Sequence, residues 1–293
     1  MIPLLKKSDK VIILSTARKV SREEMNLAKE TMHSWGLELS EGINLYKEDY
    51  QFAGTDEQRL SDLQQALDDV SIKAIFFARG GYGTSRLVDQ LDWAIFNQSP
   101  KWLVGFSDVT ILHTIVNNHG VPSIHGTMPI LFENKIAVDS LKGVLFGGEN
   151  KTEVKPHLFN RLGEATAPIV GGNLTLLIHG LGTPTEINTD GKILFIEEID
   201  EYLYHIDRMI LQLKRAGKLS QLKGLIVGGF SQMNDNPIPF GKLAYEIIQE
   251  HTAEYDYPVL YDFPAGHVEE NQALILGKNT LLSVTEDSVS IEQ

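Results

Sequence analysis

Within the first 130 residues, short apolar runs alternate with amphipathic stretches, and few folds accept that rhythm. The apolar runs, at residues 11–15, 43–45, 74–78, 102–106 and 122–125, are rich in β-branched and aromatic side chains and predict buried strands. Helix-start signals lie between them. Ser21-Arg22-Glu23-Glu24 is a capping box that opens a helix to about Trp35, where Gly36 stops it. Thr55-Asp56-Glu57-Gln58 is a second one, followed by Leu60, Leu63 and Leu67 at helical spacing. Residues 84–96 and 108–118 supply two more helices, the latter closed by His119-Gly120. Strand–helix alternation predicts an open parallel sheet with helices on both faces, flavodoxin-like in class. Ligands of such sheets bind at the carboxyl ends of the strands, so chemistry is sought there.

A chain of 293 residues predicts two domains. The reading places an N-terminal α/β domain at residues 1–133 and an inter-domain linker at 134–168. Gly147-Gly148-Glu149-Asn150-Lys151 and Pro156 punctuate that linker. A smaller, mixed α+β domain follows at 169–293. In it, Gly172-Asn173 precedes a helical run at 174–179, and Asp190-Gly191 turns into a strand at 192–196. Ile206, Met209, Ile210 and Leu213 mark a helix face, and residues 225–227 and 243–250 read as a strand and a helix. Residues 274–276 and 281–284, around Gly277-Lys278-Asn279, read as a closing hairpin.

Charge and composition exclude several classes. Lys plus Arg is 26 against 39 for Asp plus Glu, a net charge of −13, which argues against a nucleic-acid partner. There is no cysteine, so disulfides and thiolate metal sites are excluded. The charged start Lys6-Lys7-Ser8-Asp9-Lys10 does not suit a signal peptide, and no apolar run could span a bilayer. The expectation is a cytoplasmic protein with no membrane partner.

Two strand-to-helix junctions could carry chemistry. The first, Ala78-Arg79-Gly80-Gly81-Tyr82-Gly83-Thr84-Ser85-Arg86, lacks the third glycine of a dinucleotide fingerprint and the lysine of a P-loop. It reads as a tight turn needing positive φ, or as a row of bare N–H groups for an anion or oxyanion. The second is Gly105-Phe106-Ser107-Asp108-Val109, part of a nucleophile elbow in which Val109 replaces the second glycine. Ser107 there is either a nucleophile or a helix N-cap. Among nine histidines, His33, His113 and His179 fall in helices and His119 at a helix end. His125 follows a strand on the ligand edge, and His267 sits in the turn Phe263-Pro264-Ala265-Gly266-His267. Glu197 and Glu198 close an apolar strand, as a buried acid or as an ordinary exposed strand end.

With these segments in view, the chain resembles the LD-carboxypeptidase family of serine peptidases, which includes muramoyltetrapeptide carboxypeptidases and microcin-immunity peptidases. The matching segments are residues 78–83, 104–110 and 125–129, then Gly171-Gly172-Asn173-Leu174, Ile193-Leu194-Phe195-Ile196-Glu197-Glu198, Ile206-Asp207-Arg208-Met209 and Gly266-His267. They occur in family order over roughly residues 75 to 277. The resemblance implies a catalytic triad of Ser107 as nucleophile, His267 as base and Glu197 as the residue orienting it. It implies an oxyanion hole from the backbone N–H groups of Asp108 and Gly81. Arg79 or Arg86 would neutralise a substrate carboxylate, and Tyr82 and His125 are further substrate-binding candidates.

The family's main branch implies release of a C-terminal D-alanine from a murein tetrapeptide during cell-wall recycling, with no metal or organic cofactor and with a homodimer as a family trait. Two alternatives stay open. One is an immunity-type peptidase acting on peptidyl or aminoacyl nucleotides, a branch marked by a longer chain with an aromatic-bearing insertion before the second domain. Here the connection is short and its aromatics are Phe146 and Phe159. The other is a nonhydrolytic protein that binds a nucleotide at Gly80–Gly83, or a muropeptide. The chain departs from the family pattern at His205 and at Ser15-Thr16-Ala17-Arg18, which bears on specificity more than on chemistry, and also at Thr127.

Overall fold

A computed structural model describes residues 2–148 and 151–293. Chain order begins β1 (Lys10–Leu14), α1 (Asn26–Ser34), β2 (Glu38–Glu41), α2 (Asp56–Asp68) and β3 (Ile72–Phe77). It continues α3 (Ala94–Gln98), β4 (Trp102–Gly105), α4 (Thr110–Asn118), β5 (Ser123–His125), α5 (Lys135–Phe146), β6 (Lys151–Val154) and β7 (Gly163–Asn173). Next come α6 (Leu174–Gly180), β8 (Ile193–Ile199), α7 (Leu203–Arg215), β9 (Gly224–Ser231), α8 (Ala244–Thr252) and β10 (Val259–Leu260). The chain ends with β11 (Leu274–Leu276), β12 (Asn279–Val284) and β13 (Val289–Glu292). It forms two compact units, Met1–Glu149 with Gln272–Ile275, and Asn150–Asn271 with Leu276–Gln293.

The first unit is built on a sheet of order β11-β5-β4-β3-β1-β2, in which β1 to β5 pair in parallel. That is the flavodoxin-like order with one strand added beside β5. Strands covered on both faces become unbroken apolar runs. Ile75, Phe76 and Phe77 of β3 and Leu103 and Val104 of β4 are accordingly sealed. Lys101, just before β4, is buried and donates to the carbonyls of Ala66 (2.7 Å), Leu67 (2.9 Å) and Asp69 (2.6 Å). Three ammonium hydrogens thus satisfy three carbonyls left over at the end of α2, and burial pushes the amine down to about 8.

In the second unit the sheet order is β10-β9-β8-β7-β12-β13-β6. Strands β7 to β10 are parallel, and β7, β12, β13 and β6 are antiparallel, a mixed α+β arrangement. Ile206, Ile210 and Leu213 of α7 pack with Ile247 and Ile248 of α8 and Leu194 and Ile196 of β8 in one core. Among the described residues no helix is long and apolar enough to cross a membrane.

Four local expectations are corrected. Residues 43–45 are not a strand: the edge strand is β2, with half-exposed polar residues, and Ile43 is exposed. Residues 84–96 do not form one helix but two single 3-10 turns, Thr84–Arg86 and Val88–Gln90, before α3. The Thr84 N–H is held at 2.8 Å by the Asp108 carboxylate, and Asp92 accepts from Ala94 N–H in a turn that restarts the chain. The span 134–168 contains regular structure. Asn134 caps α5 by accepting from Ala137 N–H at 3.2 Å, Gly147 ends it at φ +84°, and β6 and the start of β7 follow. Glu149 and Asn150 lie outside the described residues. Finally, β11 and β12 are not a hairpin. Gly277 N–H donates to Ile169 O at 2.6 Å and Ile169 N–H to Lys278 O at 3.2 Å, which sends β12 onto β7 while β11 joins the first sheet.

Candidate active site

At the carboxyl end of β4, Phe106 is extended and Ser107 takes φ +62° before a 3-10 turn, Ser107–Val109, leads into α4. An N-cap residue has β-region backbone, whereas Ser107 is left-handed, at a cost on the order of 1–3 kcal/mol for a residue with a Cβ. The helix-cap reading therefore fails. The strained strand-to-helix corner is that of a nucleophile elbow. The missing second glycine has a steric explanation: a Cβ on Gly105 would lie 3.0 Å from Val109 Cγ2, so the bare Gly105 makes room for that valine. Gly105 O accepts from His113 Nε2 at 2.9 Å and from Gly126 N–H at 3.2 Å, and His113 Nδ1 lies 2.9 Å from Ser123 Oγ. Complete burial pushes the His113 imidazole down to about 4, so it is neutral and braces the elbow from below.

Beside Ser107 runs the glycine turn after β3. A Cβ on Gly80 would lie 3.3 Å from Ser107 Oγ, and one on Gly81 (φ +113°) would lie 2.6 Å from Arg18 Cδ. Gly80 is in tight contact with the serine, Gly81 is favoured by its positive φ, and together they leave bare backbone beside Ser107. The turn is tied to the elbow by Thr84 N–H donating to Asp108 Oδ2 and to the loop after β1 by Arg18 N–H donating to Gly80 O at 3.4 Å. Of the other candidates here, Arg86 is gripped by Asp56 through Nε at 2.8 and 3.0 Å and Nη2 at 2.6 Å. Arg79 is half-buried, and Tyr82 is exposed with its ring 6.1 Å from Phe52. His125 is enclosed, its ring edge-on to Phe106 at 5.6 Å. It supports the elbow's neighbour rather than opening to solvent.

In the second unit Glu197, within β8, is fully buried and accepts two hydrogen bonds from one residue, His267 Nδ1 at 2.7 Å and His267 N–H at 3.2 Å. Gly266 (φ +103°) permits this, since a Cβ there would lie 2.6 Å from Glu197 Cβ. Asn271 Oδ1 accepts from Gly266 N–H at 2.9 Å, and Ser231 Oγ donates to His267 O at 2.9 Å, fixing the turn. Donation from Nδ1 to a carboxylate puts the lone pair of the neutral ring on Nε2, the form a general base needs. Burial disfavours the imidazolium, but the hydrogen bond and charge of Glu197, with the charge of Glu198 behind, outweigh it and raise His267 above its ordinary value. Glu198 faces the other way and accepts from Asn173 Nδ2 (2.8 Å), Ile199 N–H (2.9 Å) and Thr175 N–H (2.8 Å), capping α6.

Residues 11–126 match the family model described as the LD-carboxypeptidase N-terminal domain, and residues 166–282 match that of the C-terminal domain. A "probable murein peptide carboxypeptidase" of Bacillus subtilis is 34% identical over 301 residues, covering 98% of this chain and 93% of that one. The chain belongs to the LD-carboxypeptidase family. A crystal structure of muramoyltetrapeptide carboxypeptidase from Oxalobacter formigenes, 27% identical, superposes with a TM-score of 0.88 over 96% of this chain and 97% of its own. The microcin C7 self-immunity protein MccF, bound to aspartyl sulfamoyl adenosine, shares the fold at 19% identity and a TM-score of 0.87, covering 99% of this chain and 97% of its own. As a family member this chain is a serine-type peptidase. What the residue pattern left unassigned is local: the Asp108 carboxylate that ties turn to elbow, and Arg18, which stood out only as a variant first loop.

Proposed function

We propose that this LD-carboxypeptidase family member releases the C-terminal D-alanine of a murein tetrapeptide, with Ser107 as nucleophile, His267 as general base and Glu197 orienting the imidazole. The observation that carries the reading is the left-handed Ser107 at the end of β4, set against the bare Gly80-Gly81 backbone. In this reading His267 Nε2 takes the Oγ proton as Oγ attacks the carbonyl carbon before D-alanine. The N–H groups of Asp108 and Gly81 hold the oxyanion, and they are worth most where water is excluded. The imidazolium, steadied by Glu197, gives its proton to the departing amine. Water then attacks the acyl-serine by the same route in reverse, which frees the tripeptide and Ser107. The reaction needs no cofactor. The partner is a small muropeptide, met in the cytoplasm, and the names of the relatives support that substrate class.

The test is incubation with murein tetrapeptide and mass spectrometry of the product. Wild type should lose one alanine, and Ser107→Ala should slow that loss by at least about a thousandfold. Equal product from wild type and Ser107→Ala would sink the assignment of the nucleophile. Cleavage of an aminoacyl nucleotide with the tetrapeptide untouched would move the reading to the immunity branch.

A further inference from the structure

We infer that Arg18 binds the free C-terminal carboxylate of the substrate, an inference that rests on the carboxypeptidase reading above. An enzyme that removes one terminal residue must recognise a charge very near the bond it cuts. Only the bonds C–N, N–Cα and Cα–C separate the attacked carbonyl carbon from the terminal carboxylate carbon, so the two lie at most about 4 Å apart. A cation that pairs with that carboxylate must therefore lie within side-chain reach of the serine.

Four arginines belong to this turn or pack on it. Arg59, against Gly83, is buried and committed to Asp56 and to the carbonyls of Thr16 and Gly54. Arg86 is already committed to Asp56 through both Nε and Nη2. Arg79 is half-buried at the start of the turn. Arg18 lies on the loop after β1, which ends at the same edge of the sheet as the elbow because β1, β3 and β4 run parallel. Its stem crosses the open face of Gly81: a Cβ there would meet Arg18 Cγ at 2.7 Å, Cδ at 2.6 Å and Nε at 2.9 Å. Gly80, one residue earlier, abuts Ser107 in the same way. A path of two glycines thus links the nucleophile to an arginine side chain. Arg18 is exposed, and among the described residues no carboxylate lies within ion-pair distance of it. In a chain of net charge −13 that is a local cation at a site where an anionic end group must dock. The planar guanidinium suits a carboxylate in a two-pronged grip, which a lysine reproduces only in part.

The experiment compares two substrates, murein tetrapeptide with its natural D-alanine acid and the same peptide ending in D-alanine amide. Wild type should prefer the acid, mainly through KM. Arg18→Gln keeps much of the stem on Gly81 and should reduce the acid-over-amide ratio of kcat/KM about ten- to a hundredfold, with most of the loss in KM. Arg18→Lys should recover part of it. Arg18→Ala, checked for an unchanged unfolding midpoint, should behave as Arg18→Gln. If wild type cuts the tetrapeptide and Arg18→Gln keeps its full preference for the acid, the inference is overturned while the peptidase reading stands. Loss of the preference in Arg79→Gln, with Arg18→Gln unaffected, overturns it in favour of Arg79. Wild type inert toward both peptides would overturn the reading and this inference together.

Discussion

Successive side chains along β8 leave opposite faces of the sheet, so Glu197 and Glu198 enter different surroundings although both are buried. Glu198 finishes α6: burial, then the charge of Glu197, raise its pKa, while the N–H groups of Ile199, Asn173 and Thr175 pull it back. Among the described residues, Glu197 accepts two hydrogen bonds, both from His267. The balance on His267 can be read directly, because the carboxylate pulls its pKa upward against burial. In Glu197→Gln burial acts without that opposing hydrogen-bonded charge, and the His267 pKa should fall. An NMR titration of the imidazole would show it, with wild type titrating above 6.5 and the variant below it. An unmoved titration would mean that Glu197 does not set the charge state of the base. The same pair explains why the sequence separated the two acids so poorly. The strand end is spelled Glu-Glu, and only the facing Gly266-His267 turn tells them apart.

At the level of elements, the elbow is rigid because β4, α4 and β5 close a hydrogen-bonded ring through His113, Gly105 and Ser123. The neutral imidazole is part of that ring, and the sign of its pH effect follows. With a folded pKa near 4 against 6.5 when unfolded, the unfolded chain binds more protons between those values, so stability is lost as pH falls through that window. The loss should reach about 3 kcal/mol at full protonation. Urea unfolding at pH 7, 5.5 and 4.5 should show a steeper decline for wild type than for His113→Gln, which cannot titrate. Parallel declines would remove His113 from the account. The central strands β3 and β4 of this unit are legible because they are buried on both faces and thus written as nearly unbroken apolar runs. What was illegible has equally local causes. Strand β2, Glu-Leu-Ser-Glu, is a polar edge with no such run, and α5 hides behind Gly143 and the glycines that follow it. Ser107 misled for a similar reason, since serine before a helix spells a cap and positive φ leaves no mark in the sequence.

Across the whole chain, the backbone passes between the two units three times, at residues 149–150, 271–272 and 275–276. The middle visit is a single strand, β11, placed beside β5 at the edge of the first sheet, with Ala273 N–H donating to Ser140 Oγ of α5 at 2.9 Å. No local signal in residues 272–276 announces this, because the partner strand lies about half the chain away, and the hairpin reading used only what neighbours in sequence offer. The consequence is that the core of the first unit is completed by residues far from the rest of it in sequence. Ile275 is buried in the first unit's core, so Ile275→Ala should cost that unit about 2–5 kcal/mol. All three tryptophans, Trp35, Trp93 and Trp102, belong to the same unit, which gives it a private fluorescence signal. With a urea dependence of about 2 kcal/mol per molar, the tryptophan-detected midpoint should drop by about 1 M or more. A midpoint within a few tenths molar of wild type would instead mean that the first unit completes its core without the returning strand.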